Sequence, residues 1–442
     1  VVGRFARFGY TFSMTARPEL PGLGDELLTN PEDASPAPVG SAPVPAPARG
    51  GFWLLLALVL VAINLRPALS SLAPVLKTVQ AGTGISGTAA GLLTTLPVLC
   101  LGLFGPLAPR FARRFGSEKV VLWILLLMAA GIVLRSLGGS AGLFAGTVVA
   151  GACIGIINVL LPGIVKRDFA DKADIMTGVY TMALCIGAAL AAGLTVPMQH
   201  ATGSWRIALA AWALPAVIAA AAWWPWQRGR HVAVAAPSHA RSLLHDRLAW
   251  QVTLYMGLQS SLAYCVFGWL PAILQDRGLS ALESGFSLSV SVMVQIVSSL
   301  GAPWLANRHV RHGGDQRLTI ALVLACTLSG LLGCLFAPLS TLWLWIVVLG
   351  IGQGGTFSMA LSLIVLRSRD PATAARLSGM VQGVGYSVAA LGPFLVGLLH
   401  ERSGSWQALG LLFTLIATGA LIAGMAAGRQ RFVLEAQPPA QN

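Results

Sequence analysis

FWLLLALVLVAINLRPALSSLAPVL, residues 52–76, is the stretch on which the reading of this chain turns. Phe52 to Ile63 carries no charged or amide side chain, and the segment stays largely apolar to Leu76. That is enough to cross a hydrocarbon core, which takes about 20 residues. Yet Arg66 stands inside it, with Asn64 before and Pro67 after. At about 1.5 Å per residue, Arg66 lies about 21 Å into a helix, at or a little beyond mid-bilayer. A charge at that depth costs at least ~2.5–3.5 kcal/mol, so it must face the bundle interior, water or a partner. Pro67 lacks an N–H and bends a helix, which opens nearby carbonyls to Asn64 or to water.

The rest of the sequence says what kind of bundle this is. The chain has 442 residues, 55% hydrophobic and 10% charged, with a mean hydropathy of +0.74. Soluble domains carry roughly 25% charged residues. So few charges do not cover a water-facing surface, which excludes a large soluble enzyme. From Gly51 onward, long apolar runs alternate with short polar connections. Twelve spans are expected, at 52–77, 88–108, 119–138, 141–165, 175–197, 206–225, 250–272, 284–304, 318–337, 340–365, 377–399 and 406–427. Runs of this length predict an all-α membrane protein of twelve transmembrane helices, since barrel strands are half as long and alternate.

The net charge of +13 has a distribution that makes nucleic acid unnecessary. Of the 29 Lys and Arg, 23 fall in the termini and the connections after even-numbered spans, and five at the ends or connections of odd-numbered ones. Arg66 is the remaining one. Arg135, near the end of span 3, is counted with the five. This asymmetry places both termini in the cytoplasm and the chain in the cytoplasmic membrane. Residues 1–50, with the Pro/Ala-rich ASPAPVGSAPVPAPARG, read as a disordered cytoplasmic tail. No signal peptide is expected, and the translation start is Val1 or Met14. All six cysteines lie in apolar runs with no metal or disulfide spacing, so they read as small core residues.

Internal repetition organises the spans. GISGTAAG (84–91) is echoed by GLSALESG (278–285), LAPRFARRFG (107–116) by LANRHVRHGG (305–314), Gly151 and Gly155 by Gly350 and Gly354, and GSW at 203–205 by GSW at 404–406. The offsets are 194, 198, 199 and 201 residues, in one order. This predicts two six-helix pseudo-repeat halves, 51–225 and 250–428, joined by a cytoplasmic linker at 226–249 and followed by a cytoplasmic tail at 429–442. Parallel repeats of this kind are a transporter architecture, with a site near the midplane between the halves.

GPLAPRFARRFG (105–116) resembles the loop between helices 2 and 3 of the major facilitator superfamily: a Gly, then Asp-Arg, then paired basic residues. The matching positions are Gly105, Arg110, Arg113, Arg114 and Gly116, and Pro109 takes the place of the Asp. NLRPALSSLAPVL with AGLLTTLPVLCLGLFGPLAPRFARRFG is similar to the cyanate and 2-nitroimidazole transporter family, a likeness covering about 52–427. The resemblance implies the major facilitator fold and secondary transport of a small anion or compact polar molecule by alternating access. Efflux of nitroimidazole-like or other small drugs is the alternative. A membrane enzyme or sensor would need a catalytic cluster or a soluble domain, and the sequence shows no HExxH, P-loop or nucleophile elbow, so no enzyme activity, catalytic residue, metal or cofactor is expected, and the chain is expected to work as a monomer with substrate and lipid as its partners.

Arg66 therefore has two readings. It is a structural arginine bonded to carbonyls, or a cation in the translocation cavity that pairs with an anionic or electron-rich substrate. A guanidinium fork suits a planar anion. No Asp or Glu lies deep in any span to neutralise it. Asn64 is its neighbour, and Asn158, Gln259, Gln382 and Tyr386 are the other candidate lining groups, because their helices line the cavity in the resembled superfamily. Tyr264, Gln295 and Gln353 are further intramembrane polar groups, with helix–helix hydrogen bonding as the bland reading of each. GIGQGG (350–355) formally fits a dinucleotide fingerprint but lies within an apolar span, where close helix packing is expected. The pairs Trp223-Trp224 and Trp343-Trp345 read as interface anchors.

Overall fold

The computed structural model describes residues 51–169, 173–228, 243–311, 314–404 and 406–434. The N-terminal tail at 1–50 and most of the linker therefore lie outside the described residues. Twelve helical segments are long and apolar enough to cross a membrane: Gly51–Thr83, Gly87–Phe115, Ser117–Leu137, Gly139–Val165, Gly178–Thr202, Trp205–Gln227, Arg247–Asp276, Ala281–Arg311, Arg317–Phe336, Leu339–Leu366, Thr373–Ser403 and Gln407–Ala427. They are called spans 1 to 12 below. Among the described residues there is no strand.

Span 1 is broken where its sequence said it would be. Helix runs from Gly51 to Ile63, stops for a turn at residues 64–66, and resumes at Pro67. Pro67 supplies no N–H to the preceding turn, so the chain tightens there, with Asn64 N donating to Val61 O and Leu65 N to Ala62 O. A second interruption follows at Ser71 and Leu72. Span 5 approaches closely at the first break: a Cβ at Gly187 would stand 2.0 Å from Ile63 O. Only a residue without a side chain admits that contact.

The glycine echoes in the sequence become echoed contacts. In the first six spans, span 4 packs on span 2, with Gly151 against Pro97 and Gly155 against Leu101. In the last six, span 10 packs on span 8, with Gly350 against Ser291 and Val294, and Gly354 against Gln295. GIGQGG is thus helical and serves close packing. The base of span 4 and the base of span 10 are tied in parallel ways. Arg167 pairs with Glu118 at 2.5 Å, and Arg367 donates to Gln316 Oε1 at 2.5 Å and to Ala427 O at 2.7 Å. The linking loop after span 2 turns at Gly116, whose φ is +84°. Arg110, Arg113 and Arg114 are exposed there, and Arg114 lies 5.2 Å from the Phe115 ring.

Two placements correct the sequence reading. Trp223 is no interface anchor: it is fully buried and donates from Nε1 to Glu118 O at 3.0 Å, because span 6 packs on span 3 there. Trp224 is exposed as expected. Arg135 is not a loop or surface residue of the charge-poor end. It lies within span 3, 1% exposed, and donates from Nη1 to Ala68 O at 2.7 Å and from Nη2 to Ser71 Oγ at 3.3 Å. The interrupted stretch of span 1 frees that carbonyl, and Arg135 takes it.

The first and last six spans are linked at the end that carries the charge-poor connections. Lys77 pairs with Asp276, and the Thr88 N–H donates to Glu401. Gln275 Nε2 donates to Pro74 O at 3.0 Å. His400 stacks on Trp406 at 3.9 Å and sits 3.7 Å from Asp276. Farther in, Ser289 Oγ donates to Ala189 O at 2.8 Å, joining span 8 to span 5.

Candidate functional site

Between the two sets of spans lies a cavity of about 50 Å³, room for a few waters or one compact ligand. Its lining repeats at helical spacing. Thr181, Leu184, Cys185 and Ala188 come from span 5, and Ser260, Ala263, Tyr264 and Phe267 from span 7. Both sets run i, i+3, i+4, i+7, which is one face of a helix. Val292, Gln295 and Ser299 of span 8 and Gln353, Gly354 and Phe357 of span 10 complete the wall, with Arg66 from span 1.

Among the described residues, Arg66 is the only charged group lining this cavity. The turn at residues 64–66 and Pro67 aim it away from the helix ladder. Its guanidinium carbon lies 6.0 Å from the Tyr264 ring centroid and 5.6 Å from that of Phe267. It donates no hydrogen bond and forms no ion pair with any described residue. The titratable groups facing it are Tyr264, Tyr386, Cys185 and Tyr180, and none is a carboxylate. Cation–π contacts are worth ~0.5–2 kcal/mol each. Two of them leave the five N–H donors of the fork unanswered.

Beyond Tyr264 and Phe267, toward the charge-poor end, is a second hollow of about 10 Å³, the size of one water. Both aromatics line it too, with Thr94, Thr147 and Arg135 on the other side. The two rings therefore separate an Arg66 cavity from an Arg135 cavity.

The other sequence candidates lie elsewhere. Asn64 Nδ2 donates to Leu60 O at 2.7 Å and Pro215 O at 3.1 Å, so its amide serves the broken helix and not the cavity. Asn158 accepts from Tyr180 OH at 3.2 Å, one residue removed from Arg66. Gln259 is buried against Met256 and donates to Ser260 Oγ at 2.8 Å. Gln382 donates to Ser378 Oγ at 2.8 Å within span 11. Tyr386 is buried edge-on to Tyr264, with centroids 6.1 Å apart, behind the cavity wall. Conversely, Gln295 and Gln353 line the cavity, as do Cys185, Thr181 and Phe267, which composition gave no reason to single out. Helical spacing from Tyr264 would have reached Ser260 and Phe267.

The chain matches the family model described as Major Facilitator Superfamily over residues 52–393. It is 36% identical to the 2-nitroimidazole transporter of Escherichia coli (strain K12), covering 86% of this chain and 96% of that one. It is 34% identical to the cyanate transport protein CynX of the same organism, covering 80% and 91%. Its fold matches the crystal structure of a D-xylose-proton symporter with a TM-score of 0.68, at 13% identity, over 86% of this chain and 98% of that one. With twelve membrane-length helices, this chain is a multi-pass membrane transporter and belongs to the major facilitator superfamily.

Proposed function

We propose that this transporter moves a compact anion of the cyanate class across the cytoplasmic membrane, with Arg66 as the cation that holds it. The observation that carries the reading is the state of Arg66 itself. A guanidinium borders the cavity between the two sets of spans, aromatic faces flank it, and no described carboxylate or carbonyl answers its N–H donors. A cation within the membrane span that has no protein acceptor is costly, and a substrate of opposite charge offsets that cost when it binds. Thr181, Ser260 and Ser299 supply further polar contacts at the wall. Transport then follows from rocking one six-helix half against the other. The Lys77–Asp276 and Thr88–Glu401 links are what opening the charge-poor end has to break. The split of basic residues supports a cytoplasmic location for both termini and the charge-rich end.

A second reading is efflux of small nitroheterocycles. The aromatic share of the wall (Tyr264, Phe267 and Phe357) and the likeness to a 2-nitroimidazole transporter favour it. The test is binding calorimetry on purified protein. Cyanate, nitrite, bicarbonate and short carboxylates are compared with neutral nitroimidazoles, for wild type and Arg66→Ala. Anion binding that disappears in the variant is the expected result. Binding of neutral heterocycles alone, unchanged by the substitution, selects efflux and makes Arg66 structural.

A further inference from the structure

Two glutamines, on spans 8 and 10, line the same cavity as Arg66 on span 1. Gly354 brings the backbones of spans 8 and 10 so close that a Cβ there would lie 2.8 Å from the Gln295 Cα. The result is that Gln295 Nε2 donates to Gln353 Oε1 at 2.9 Å. This contact answers half of each amide. Gln353 is 2% exposed, and its Nε2 has no hydrogen-bond partner. No described donor reaches Gln295 Oε1. Turning both amides over leaves the same surplus, one N–H edge and one carbonyl edge, on exchanged residues. Arg135 Nε and Gln259 Oε1 are also buried without a partner; what sets Gln353 apart is that its side chain lines the Arg66 cavity, where a ligand can offset that cost.

We propose that the Gln295–Gln353 pair is the second pole of the substrate site. Arg66 takes the acceptor end of the ligand, and the amide pair reads the other end with one donor and one acceptor. The inference rests on the Arg66 reading above and adds to it the kind of ligand that fits. That ligand is compact, has an acceptor group that a guanidinium fork grips, and has a distal edge that both gives and takes a hydrogen bond. A 4-nitropyrazole has this pattern: nitro oxygens on C4 at one end, and the ring N–H and N side by side on the opposite edge. A linear anion such as cyanate meets it in part, with an acceptor at each end and no donor. The site thereby accommodates both ligand types without a carboxylate. Because the two poles sit on different sets of spans, a bound ligand also ties those sets together.

The distal edge is tested by blocking it. Dissociation constants are measured by calorimetry on the purified full chain for sodium cyanate, 4-nitropyrazole and 1-methyl-4-nitropyrazole. The proteins are wild type, Gln353→Met, Gln295→Met and Arg66→Ala. Methionine keeps the length and removes the amide, and Gln295, only partly buried, is the more tolerant position should Gln353→Met not fold. The wild type is expected to bind the N–H heterocycle about tenfold more tightly than its N-methyl analogue, the value of one hydrogen bond to a buried partner. Either glutamine variant is expected to bind the two about equally. A wild type without that preference overturns the inference, and so does a preference that survives in the variants. Cyanate binding with no heterocycle binding overturns the second pole and leaves the Arg66 reading standing. The reverse pattern, with cyanate binding untouched in Arg66→Ala and the heterocycle preference intact, removes the Arg66 reading alone. Binding of none of the three probes overturns both.

Discussion

Arg66 and Arg135 lie in the first three spans away from the exposed Arg110, Arg113 and Arg114, and they have opposite surroundings. Arg135 is a donor whose acceptors are part of the fold: Ala68 O and Ser71 Oγ, both on the interrupted stretch of span 1. Arg66 sits on that same interrupted stretch and has no such acceptors, only the faces of Tyr264 and Phe267. The two aromatic rings stand between them. The same chemical group is thus a structural brace on one side of the rings and an unanswered charge on the other. Depth in the span alone does not tell a functional arginine from a structural one; the count of acceptors does. The carbonyl-bonded arginine that is one reading of Arg66 does exist in this protein, at residue 135.

The largest expected effect tests the unanswered member. Arg66→Ala is expected to lower uptake into proteoliposomes by at least about 100-fold, since it removes the charge a bound anion faces. Thermal unfolding of the purified variant is expected to shift little or upward, because a partly buried charge without a protein acceptor is lost. Wild-type transport in this variant, or a sharp fall in thermal stability, erases the contrast with Arg135.

The next effect tests the brace. Arg135→Met leaves Ala68 O and Ser71 Oγ without donors. Intramembrane hydrogen bonds average below 1 kcal/mol each, and orphaned buried acceptors add to that, so a loss of ~1–3 kcal/mol is expected. It is read as a lower midpoint of thermal unfolding and a lower yield of folded protein. Transport per folded molecule should fall by less than about tenfold. Abolished transport at full stability would falsify the structural assignment.

Lysine substitutions sharpen the comparison further. Arg66→Lys keeps the charge and loses the planar fork, and a fall of about tenfold in transport is expected if a planar anion is gripped at two points. Arg135→Lys keeps a donor within reach of a carbonyl and is expected to retain most of the wild-type thermal midpoint. Measured side by side, equal losses at both positions would mean that the two arginines do the same work.

The sequence carried the fold further than the site, and the reason is physical. Span length, charge asymmetry and repeated glycines are periodic or cumulative signals, each spread over many residues. Gly151, Gly155, Gly350 and Gly354 could be paired by offset alone, and they make corresponding contacts. Arg66 was legible because a single charge in an apolar run is costly wherever it points. Direction is what one sequence conveys poorly. Asn64, two residues from Arg66, bonds Leu60 O on its own helix and Pro215 O on span 6, and Gln259 does not line the cavity but bonds the hydroxyl of its neighbour Ser260, which does. Arg135 was masked by its place near a span end, where a surface charge is the ordinary case. The glutamine pair was visible as two polar residues, and only the close approach at Gly354 shows them as one unit.

A third cation completes the ranking and carries the smallest expected effect. Lys77 pairs with Asp276 between spans 1 and 7, and both side chains are about one-third exposed. Exposed pairs are worth about 0–1 kcal/mol, against the several kcal/mol at stake for a buried charge. Asp276→Asn therefore weakens the closed charge-poor end without emptying the cavity. An equilibrium shift of at most about fivefold toward opening at that end is expected. It is read as a change of that size in KM for uptake from that side, with the maximal rate nearly preserved. A loss comparable to that of Arg66→Ala would mean that the charge-poor end, and not the cavity, holds the decisive charge. An unchanged KM would mean that Thr88–Glu401 and Gln275–Pro74 keep that end shut without the ion pair.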